Sequence, residues 1–206
     1  EQVGRIIEEL KKKGMYDDAL ICFVADHGDM LGDHYLWRKT YAYEGSSAIP
    51  YIIKLPRSYK QIQKAGAFID EPVELRDLLP TFLAINDVEI PKGIDGLSLL
   101  PLMEKKKCSW RKFIDIEHAT AYWQNNYWCA LTDGKVKYIR FFLTGEEQLF
   151  DLVHDPGEVN DLSKDTSSQK QMEFMRRAMA EHLQERGEEW VKDGKLVVRK
   201  ESLLYS

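Results

Sequence analysis

The stretch Ala19-Leu-Ile-Cys-Phe-Val-Ala-Asp-His-Gly28 decides the fold class. Its first seven residues form a short, continuous apolar run with β-branched members, which is typical of a central parallel strand buried on both faces. Apolar residues at helical spacing from Val3 to Leu10 precede it, and Gly14 is expected to end that helix. A helix that leads into a buried strand and then into a polar loop predicts an α/β fold.

Two further segments extend the same pattern. The apolar residues between Pro50 and Pro56 predict a second buried strand, because prolines bound the run on both sides. Val73 to Ile85 predicts a helix that contains Pro80. A proline at that position indicates either a kink or a later start of the helix.

The pattern changes after Pro101, where hairpins replace the alternation of helix and strand. A β-hairpin is predicted from Tyr127 to Phe142 around a tight Asp133-Gly134 turn, and Glu147 to Leu152 predicts a third strand. Phe174 to Leu183 predicts an amphipathic helix. A last hairpin is predicted to close at Asp193-Gly194.

These segments together predict a two-domain protein of the α/β class. Residues 1–106 are expected to belong to an α/β sheet domain. Residues 107–206 are expected to form a small α+β domain with an antiparallel sheet and one packed helix.

Composition excludes several classes of function. The 206 residues are 44% hydrophobic and 31% charged, which is typical of a globular protein. A net charge of −5 without a basic stripe gives no reason to expect a nucleic-acid partner. No apolar run approaches the roughly 20 residues that span a bilayer, so no membrane partner is expected. The three cysteines, Cys22, Cys108 and Cys129, cannot all pair, so a disulfide framework is not expected.

The polar residues after the first strand are the candidate site. Asp26 and His27 stand at its carboxyl end, where open α/β sheets bind ligands, and Gly28 permits an unusual turn. A carboxylate and an imidazole at this place can share a divalent cation, Ca2+ in preference to Mg2+. Lys39 adds a compact cation that can bind an anionic ester oxygen. The alternative is that Asp26 caps a loop, His27 is a structural residue and Lys39 is simply solvated.

The order of short motifs around this site resembles the sulfatase family, within the alkaline-phosphatase-like superfamily. The motifs are Asp26-His27-Gly28, Leu31-Gly32-Asp33-His34, Trp37 with Lys39, Tyr43-Glu44-Gly45-Ser46 and Ile49-Pro50. Further resemblance is found at Val73–Thr81, Gly93–Pro101, Leu131–Tyr138 and Glu147–Glu158. The resemblance implies an alkaline-phosphatase-like fold, hydrolysis of sulfuric esters of the arylsulfatase type, Asp26 and His27 as metal ligands, and contact between Lys39 and the sulfate.

The nucleophile that the family implies is not encoded in this chain. Sulfatases carry a Cys-x-Pro-x-Arg motif whose cysteine becomes formylglycine, and no cysteine here is followed by that pattern. The formylglycine and the remaining metal ligands are therefore expected upstream of Glu1, where the chain begins inside a helical pattern without a methionine. We expect this piece alone to be inactive and to bind calcium weakly.

Two other histidines are candidate substrate-binding residues. His34 lies in the loop, but its apolar neighbours make a structural hydrogen bond an equal alternative. His118, with Glu117, follows a strand predicted at Phe113–Ile116, and loop polarity is its alternative explanation. A nearby aromatic group could form a wall for a sugar or aryl ring or pack inside the protein; its members are Tyr122, Trp123, Tyr127 and Trp128.

Three functions remain open on the sequence alone. The first is hydrolysis of a sulfate ester on a small molecule or a glycan. The second is hydrolysis of phosphonate or phosphate mono- or diesters by a member of the same superfamily. The third is a non-catalytic binding or scaffold module. The exposed strand edges of an isolated half-sheet predict one of two partners, the missing N-terminal part of the same protein or another copy of this piece.

Overall fold

The computed structural model describes residues 1–60, 66–119, 121 and 126–200. The chain divides into two compact units. One comprises Glu1–Asp26, Ile49–Ile69 and Leu75–Ser109, and the other comprises His27–Ala48, Asp70–Glu74 and Trp110–Ser206. These units are defined by compactness alone, so the domain division expected at residue 106 stays a prediction.

The elements follow the chain in this order. The α-helices are α1 (Gln2–Lys12), α2 (Glu44–Ser47), α3 (Leu78–Ile85), α4 (Leu100–Met103) and α5 (Gln169–Leu183). Short 3-10 helices are found at Asp33–Tyr35, Leu75–Asp77, Thr166–Ser168 and Gln184–Arg186. The strands are β1 (Ile21–Val24), β2 (Tyr51–Lys54), β3 (Ile114–His118), β4 (Trp128–Thr132), β5 (Val136–Phe141), β6 (Glu147–Asp151), β7 (Val191–Lys192) and β8 (Lys195–Leu196). No helix among the described residues is long and apolar enough to cross a membrane.

In the first unit, β1 and β2 form where they are predicted, but their arrangement differs from the prediction. They pair antiparallel, with Phe23 opposite Ile52, so the expectation of a parallel β1 is wrong. Burial on both faces is not found within this chain, where Phe23 is 43% and Ile52 62% exposed. A run of apolar residues predicts that a strand is buried in the complete sheet. It does not predict the direction of pairing, which depends on a partner strand about thirty residues away.

The helix that contains Pro80 has a later start. Residues Leu75–Asp77 form a 3-10 turn and α3 begins at Leu78, which places Pro80 in the first helical turn. The missing N–H of a proline costs nothing there, because the first backbone N–H groups of a helix have no partner inside it.

The second unit is built on a four-stranded antiparallel sheet in the order β3-β4-β5-β6. The predicted Asp133-Gly134 turn is confirmed: Asp133 Oδ1 accepts hydrogen bonds from the backbone N–H groups of Lys135 and Val136, and Gly134 has a φ of 83°. The predicted third strand, the helix α5 and the last hairpin, β7 with β8, are confirmed as well. The strand predicted at Phe113–Ile116 extends further, so Glu117 and His118 belong to β3 itself.

Side chains alternate between the two faces of this sheet, and each face has its own core. On the helix face, buried residues of β4, β5 and β6 pack against buried residues of α5; the strands contribute Cys129, Leu131, Tyr138 and Leu149, and the helix contributes Met175, Met179 and Leu183. On the loop face, buried residues of the same strands pack against the segment that contains Ala42 and Tyr43; they are Trp128, Ala130, Ile139 and Phe150. The loop face therefore supports the part of the chain that follows the candidate site.

Candidate active site

The loop that carries Lys39 is closed by hydrogen bonds between its own two ends. Asp29 Oδ1 accepts from the backbone N–H groups of Leu31 and Arg38, both at 3.0 Å. The N–H of Met30 donates to the carbonyl of Arg38 at 2.8 Å. These hydrogen bonds join residues 29–31 to residue 38, so they hold the backbone next to Lys39 in place.

Gly28 brings the start of this loop against α2. Its N–H donates to the carbonyl of Ser46 at 2.8 Å. A Cβ atom at Gly28 would overlap the carbonyl oxygen of Gly45 and press on that of Ala48. Only glycine allows this approach of two backbones, which explains why the residue after Asp26-His27 has no side chain.

The loop also stores backbone strain. Five residues other than glycine have left-handed φ values: Leu31, His34, Tyr35, Arg38 and Thr40. Thr40 is the most strained, since a β-branched residue at φ 88° is a rare conformation that costs about 1–3 kcal/mol. Its carbonyl accepts hydrogen bonds from Trp128 Nε1 at 3.0 Å and from Asn126 Nδ2 at 3.1 Å. Lys39 thus lies between two anchored residues while its own side chain is exposed.

The imidazole of His27 is oriented by a backbone carbonyl. Its Nδ1 lies 2.6 Å from the carbonyl oxygen of Gly28. A carbonyl oxygen only accepts, so Nδ1 carries the proton and the lone pair of the neutral ring is on Nε2. Histidines that bind metals are commonly held in this way by a backbone carbonyl.

Asp26 and His27 have side chains of the types that bind divalent cations. Asp26 follows β1, belongs to the first unit and is exposed. His27 is the first residue of the segment His27–Ala48, which belongs to the second unit. No cluster of three or more His, Cys, Asp or Glu side chains that could hold a metal ion is found in residues 1–60, 66–119, 121 and 126–200. The metal roles of Asp26 and His27 and the sulfate role of Lys39 stay predictions.

His34 makes contacts of the structural kind. Its Nε2 donates to the carbonyl of Gly157 at 2.9 Å, and its ring stacks on Tyr43 with centroids 4.1 Å apart and planes 4° apart. These contacts agree with the structural alternative for His34, and its role in substrate binding stays a prediction.

His118 is connected to the loop through shared neighbours. Its Nδ1 donates to the carbonyl of Asn126 at 2.8 Å, and its ring stacks on Trp128 with centroids 5.9 Å apart. Asn126 and Trp128 are the two residues that hold the carbonyl of Thr40. The structure therefore brings His118 and the segment after Lys39 to the same pair of residues. The contact of His118 with substrate stays a prediction.

The aromatic group divides between described and undescribed residues. Tyr127 and Trp128 are buried, with Tyr127 packed against Phe142 and Trp190, so the packing alternative is confirmed for both. Tyr122 and Trp123 lie outside the described residues.

The residue that sequence reasoning missed is Lys137, whose side chain is 0% exposed in β5. Its Nζ lies 2.8 Å from the carbonyl of Ala42, 2.6 Å from Glu44 Oε1 and 2.8 Å from Glu158 Oε1. The signal was available, because Lys137 stands two residues before Ile139 and therefore on the same face of the strand. A lysine on an apolar face requires carboxylate partners from elsewhere in the fold.

Comparison with known proteins agrees with this architecture. The family described as N-sulphoglucosamine sulphohydrolase, C-terminal, matches residues 32–186. The chain belongs to the sulfatase family and corresponds to its C-terminal part. An arylsulfatase of Clostridium perfringens is 36% identical over 196 residues, which are 95% of this chain and 40% of that protein.

The fold is similar to that of solved structures. A protein in complex with its substrate D-glucosamine-2-N,6-O-disulfate is 26% identical with a TM-score of 0.75, covering 88% of this chain and 37% of that one. A phosphonate monoester hydrolase from Silicibacter pomeroyi is 29% identical with a TM-score of 0.74, covering 90% of this chain and 38% of that one. The predicted fold class, an alkaline-phosphatase-like α/β protein with antiparallel sheets and one packed helix, is confirmed.

Proposed function

We propose that the complete protein to which this chain belongs hydrolyses sulfuric esters, with Lys39 binding the ester's anionic oxygens. The observation that carries the proposal is the anchored loop: Asp29 closes it, Thr40 is held by two side chains, and the exposed ammonium of Lys39 lies between them. A fixed cation aimed at developing negative charge lowers the barrier, because no reorganisation is needed during the reaction.

Asp26 and His27 are proposed as ligands for one divalent cation, Ca2+ or Mg2+. A cation bound there would supply positive charge to the ester oxygens. The carboxylate of Asp26 contributes the hard oxygen donor. The hydrogen bond from His27 Nδ1 to Gly28 orients the ring so that Nε2 serves as the nitrogen donor.

The nucleophile is proposed to be a formylglycine on a part of the protein outside these 206 residues. None of Cys22, Cys108 and Cys129 has the sequence context that the resemblance requires. We therefore propose that the 206-residue piece by itself turns over no sulfate ester and retains only weak affinity for calcium.

The proposed substrate class is a sulfated sugar or an aryl sulfate. The sugar is supported by the structural neighbour whose bound substrate is a disulfated glucosamine. The aryl ester is supported by the Clostridium relative, which is named an arylsulfatase. The second candidate is hydrolysis of phosphonate monoesters, supported by the Silicibacter neighbour of similar identity and TM-score.

The exposed apolar surface of the first unit supports a further part of the proposal. Phe23 and Ile52 face each other across β1 and β2 and are both exposed, and α1 has no buried residue. Since the Clostridium relative is more than twice as long as this chain, we propose that a preceding part of the protein covers this surface. The isolated piece is then expected to self-associate, and its elution as a clean monomer would contradict that expectation.

The test is turnover of p-nitrophenyl sulfate and of p-nitrophenyl phenylphosphonate by the protein expressed from its complete reading frame. We expect sulfate turnover that EDTA abolishes and that Lys39→Ala lowers by about 100- to 1000-fold, the usual cost of losing one stabilising group. Lys164→Ala, which removes another exposed lysine, is the control and leaves turnover unchanged. Faster phosphonate than sulfate hydrolysis would select the second candidate, and full activity of Lys39→Ala would refute the role of that residue.

A further inference from the structure

The loop face of the four-stranded sheet contains a buried cluster of charge. The Lys137 ammonium lies within 2.8 Å of one backbone carbonyl and two carboxylates, those of Glu44 and Glu158. The Glu158 side chain is 1% exposed, and its second oxygen accepts the backbone N–H of Glu44 at 2.5 Å. One cation and two anions thus meet, with Lys137 and Glu158 buried and the side chain of Glu44 38% exposed.

Among the described residues, the side-chain hydrogen bonds and ion pairs of Lys137 and Glu158 outside their own pair go to one short segment. Lys137 reaches Ala42, Glu44 and, at 3.4 Å, the hydroxyl of Ser47, and Glu158 reaches the backbone of Glu44. Two residues from β5 and from the turn after β6 therefore clamp residues 42–47 from the sheet side.

The clamped segment in turn holds both ends of the Lys39 loop. The Ser46 carbonyl accepts the N–H of Gly28 at 2.8 Å, and the Ser46 hydroxyl accepts the N–H of Tyr41 at 3.4 Å. Gly157, the residue before Glu158, makes a third connection. Its carbonyl accepts a hydrogen bond from His34 inside the loop. The buried charges and the loop are thus one hydrogen-bonded system.

We propose that Lys137 and Glu158 are positioning residues that act through residues 42–47 to set where His27 and Lys39 stand. This inference rests on the proposed function for its catalytic consequence, although the positioning itself does not depend on which ester is hydrolysed. A buried ion pair is weak evidence for stability, since its replacement by well-packed hydrophobic residues of similar volume is often neutral or stabilising. A defined orientation of the loop gives a reason for the cluster.

The helix face of the same sheet offers a matched control. Arg176 on α5 donates to both oxygens of Glu147 at 2.7 and 2.6 Å, and Tyr138 on β5 also donates to Glu147. This ion pair lies on the opposite face from Lys137, because Lys137 and Tyr138 are consecutive in a strand. Its removal changes charge pairing in the same sheet without touching residues 42–47.

The experiment compares Lys137→Met/Glu158→Gln with Glu147→Gln/Arg176→Met in the complete protein. Each double substitution removes both members of a pair, because a buried charge left without its partner often prevents folding. In the control, Arg140 loses its contact with Glu147 Oε1 but keeps its hydrogen bond to the carbonyl of Gly145. In the first pair, Glu44 loses Lys137 but is partly exposed. For the first pair we expect hydrogen exchange of the amides of residues 28–41 to accelerate at least about tenfold, with kcat for the sulfate ester lowered about a hundredfold, as for a misplaced catalytic group. For the control pair we expect neither effect.

The two measurements separate the two proposals. Unchanged exchange in residues 28–41, or an equal kcat loss in both pairs, would overturn the positioning role. Absence of sulfate turnover in the unsubstituted protein would refute the proposed function, while the exchange rates of the loop would still decide whether Lys137 and Glu158 position it.

Discussion

The two faces of the four-stranded sheet differ in what they hold in place. The helix face packs apolar side chains of β4 to β6 against a regular helix, and its ion pair between Glu147 and Arg176 is partly exposed. The loop face of the same strands holds a loop with five left-handed residues other than glycine, and it does so with a fully buried lysine and an indole N–H. One face stabilises the fold, and the other maintains a conformation that the chain would not adopt by itself.

The difference between the two faces follows from what packs against each of them, a regular helix on one and an irregular loop on the other. Helix α5 satisfies its own backbone hydrogen bonds, so the sheet has only to bury its apolar stripe. The loop cannot satisfy its backbone in a regular pattern, so Trp128 and Asn126 supply donors for Thr40. Strain of this kind persists only where surrounding contacts determine it, and it is common at functional sites.

The largest expected effect on stability belongs to the helix face. Met175 is 0% exposed, and Met175→Ala is expected to lower the free energy of unfolding by about 2–5 kcal/mol, because it leaves a cavity against the sheet. Chemical denaturation of the complete protein, followed through exchange of the β4 and β5 amides, measures this value. Turnover per folded molecule is expected to stay the same, and a selective loss of kcat would show that the two faces are not independent.

A smaller effect on stability, with a larger one on chemistry, is expected on the loop face. Trp128→Phe keeps most of the aromatic packing and removes the N–H that donates to the carbonyl of Thr40. Loss of one such hydrogen bond costs about 1 kcal/mol, and Asn126 still donates to the same oxygen. We expect kcat for the sulfate ester to fall about tenfold, as is common when a positioned group is displaced. Unchanged kcat with a clear loss of stability would assign Trp128 to packing alone.

The smallest effect on the free energy of unfolding at neutral pH is expected from the ion pair between Glu147 and Arg176. Its contribution is detected when the pH is lowered. Burial opposes ionisation of Glu147, but hydrogen bonds from Arg176 and Tyr138 outweigh it and hold the pKa of Glu147 below its ordinary value of 4.5. A depressed pKa stabilises the folded state above 4.5, and that contribution is lost as the pH falls through the lower folded value.

Glu147→Gln should therefore flatten the acid side of the stability profile. The measurement is the free energy of unfolding between neutral pH and pH values below 4.5, compared for the two proteins. If the two proteins lose stability in parallel as the pH falls, the carboxylate of Glu147 does not contribute to the pH dependence.

Local chemistry made much of this fold predictable. The Asp133-Gly134 hairpin was predictable because an aspartate that accepts two nearby N–H groups and a glycine with positive φ form the turn without help from elsewhere. The start of α3 left two alternatives, because a proline fits the first turn of a helix and also breaks its interior. The structure has the second alternative, with Pro80 in the first turn of α3.

The candidate site was predictable only in part. Asp26, His27 and Lys39 are marked by their order along the chain, and their common role stays a prediction. Lys137 was missed because its partners, Glu44 and Glu158, lie 93 residues before it and 21 residues after it. No local spacing brings those three charges together.

The sequence by itself determined the element types, the turns, the absence of a nucleophile motif in this chain and the family to which it belongs. These depend on interactions between residues close in sequence or on a preserved order of motifs. The tertiary structure alone decided the antiparallel pairing of β1 with β2, the assignment of the two sheet faces and the burial of Lys137 beneath the loop. Those features depend on contacts between distant residues, whose free energies become available only when the chain has folded.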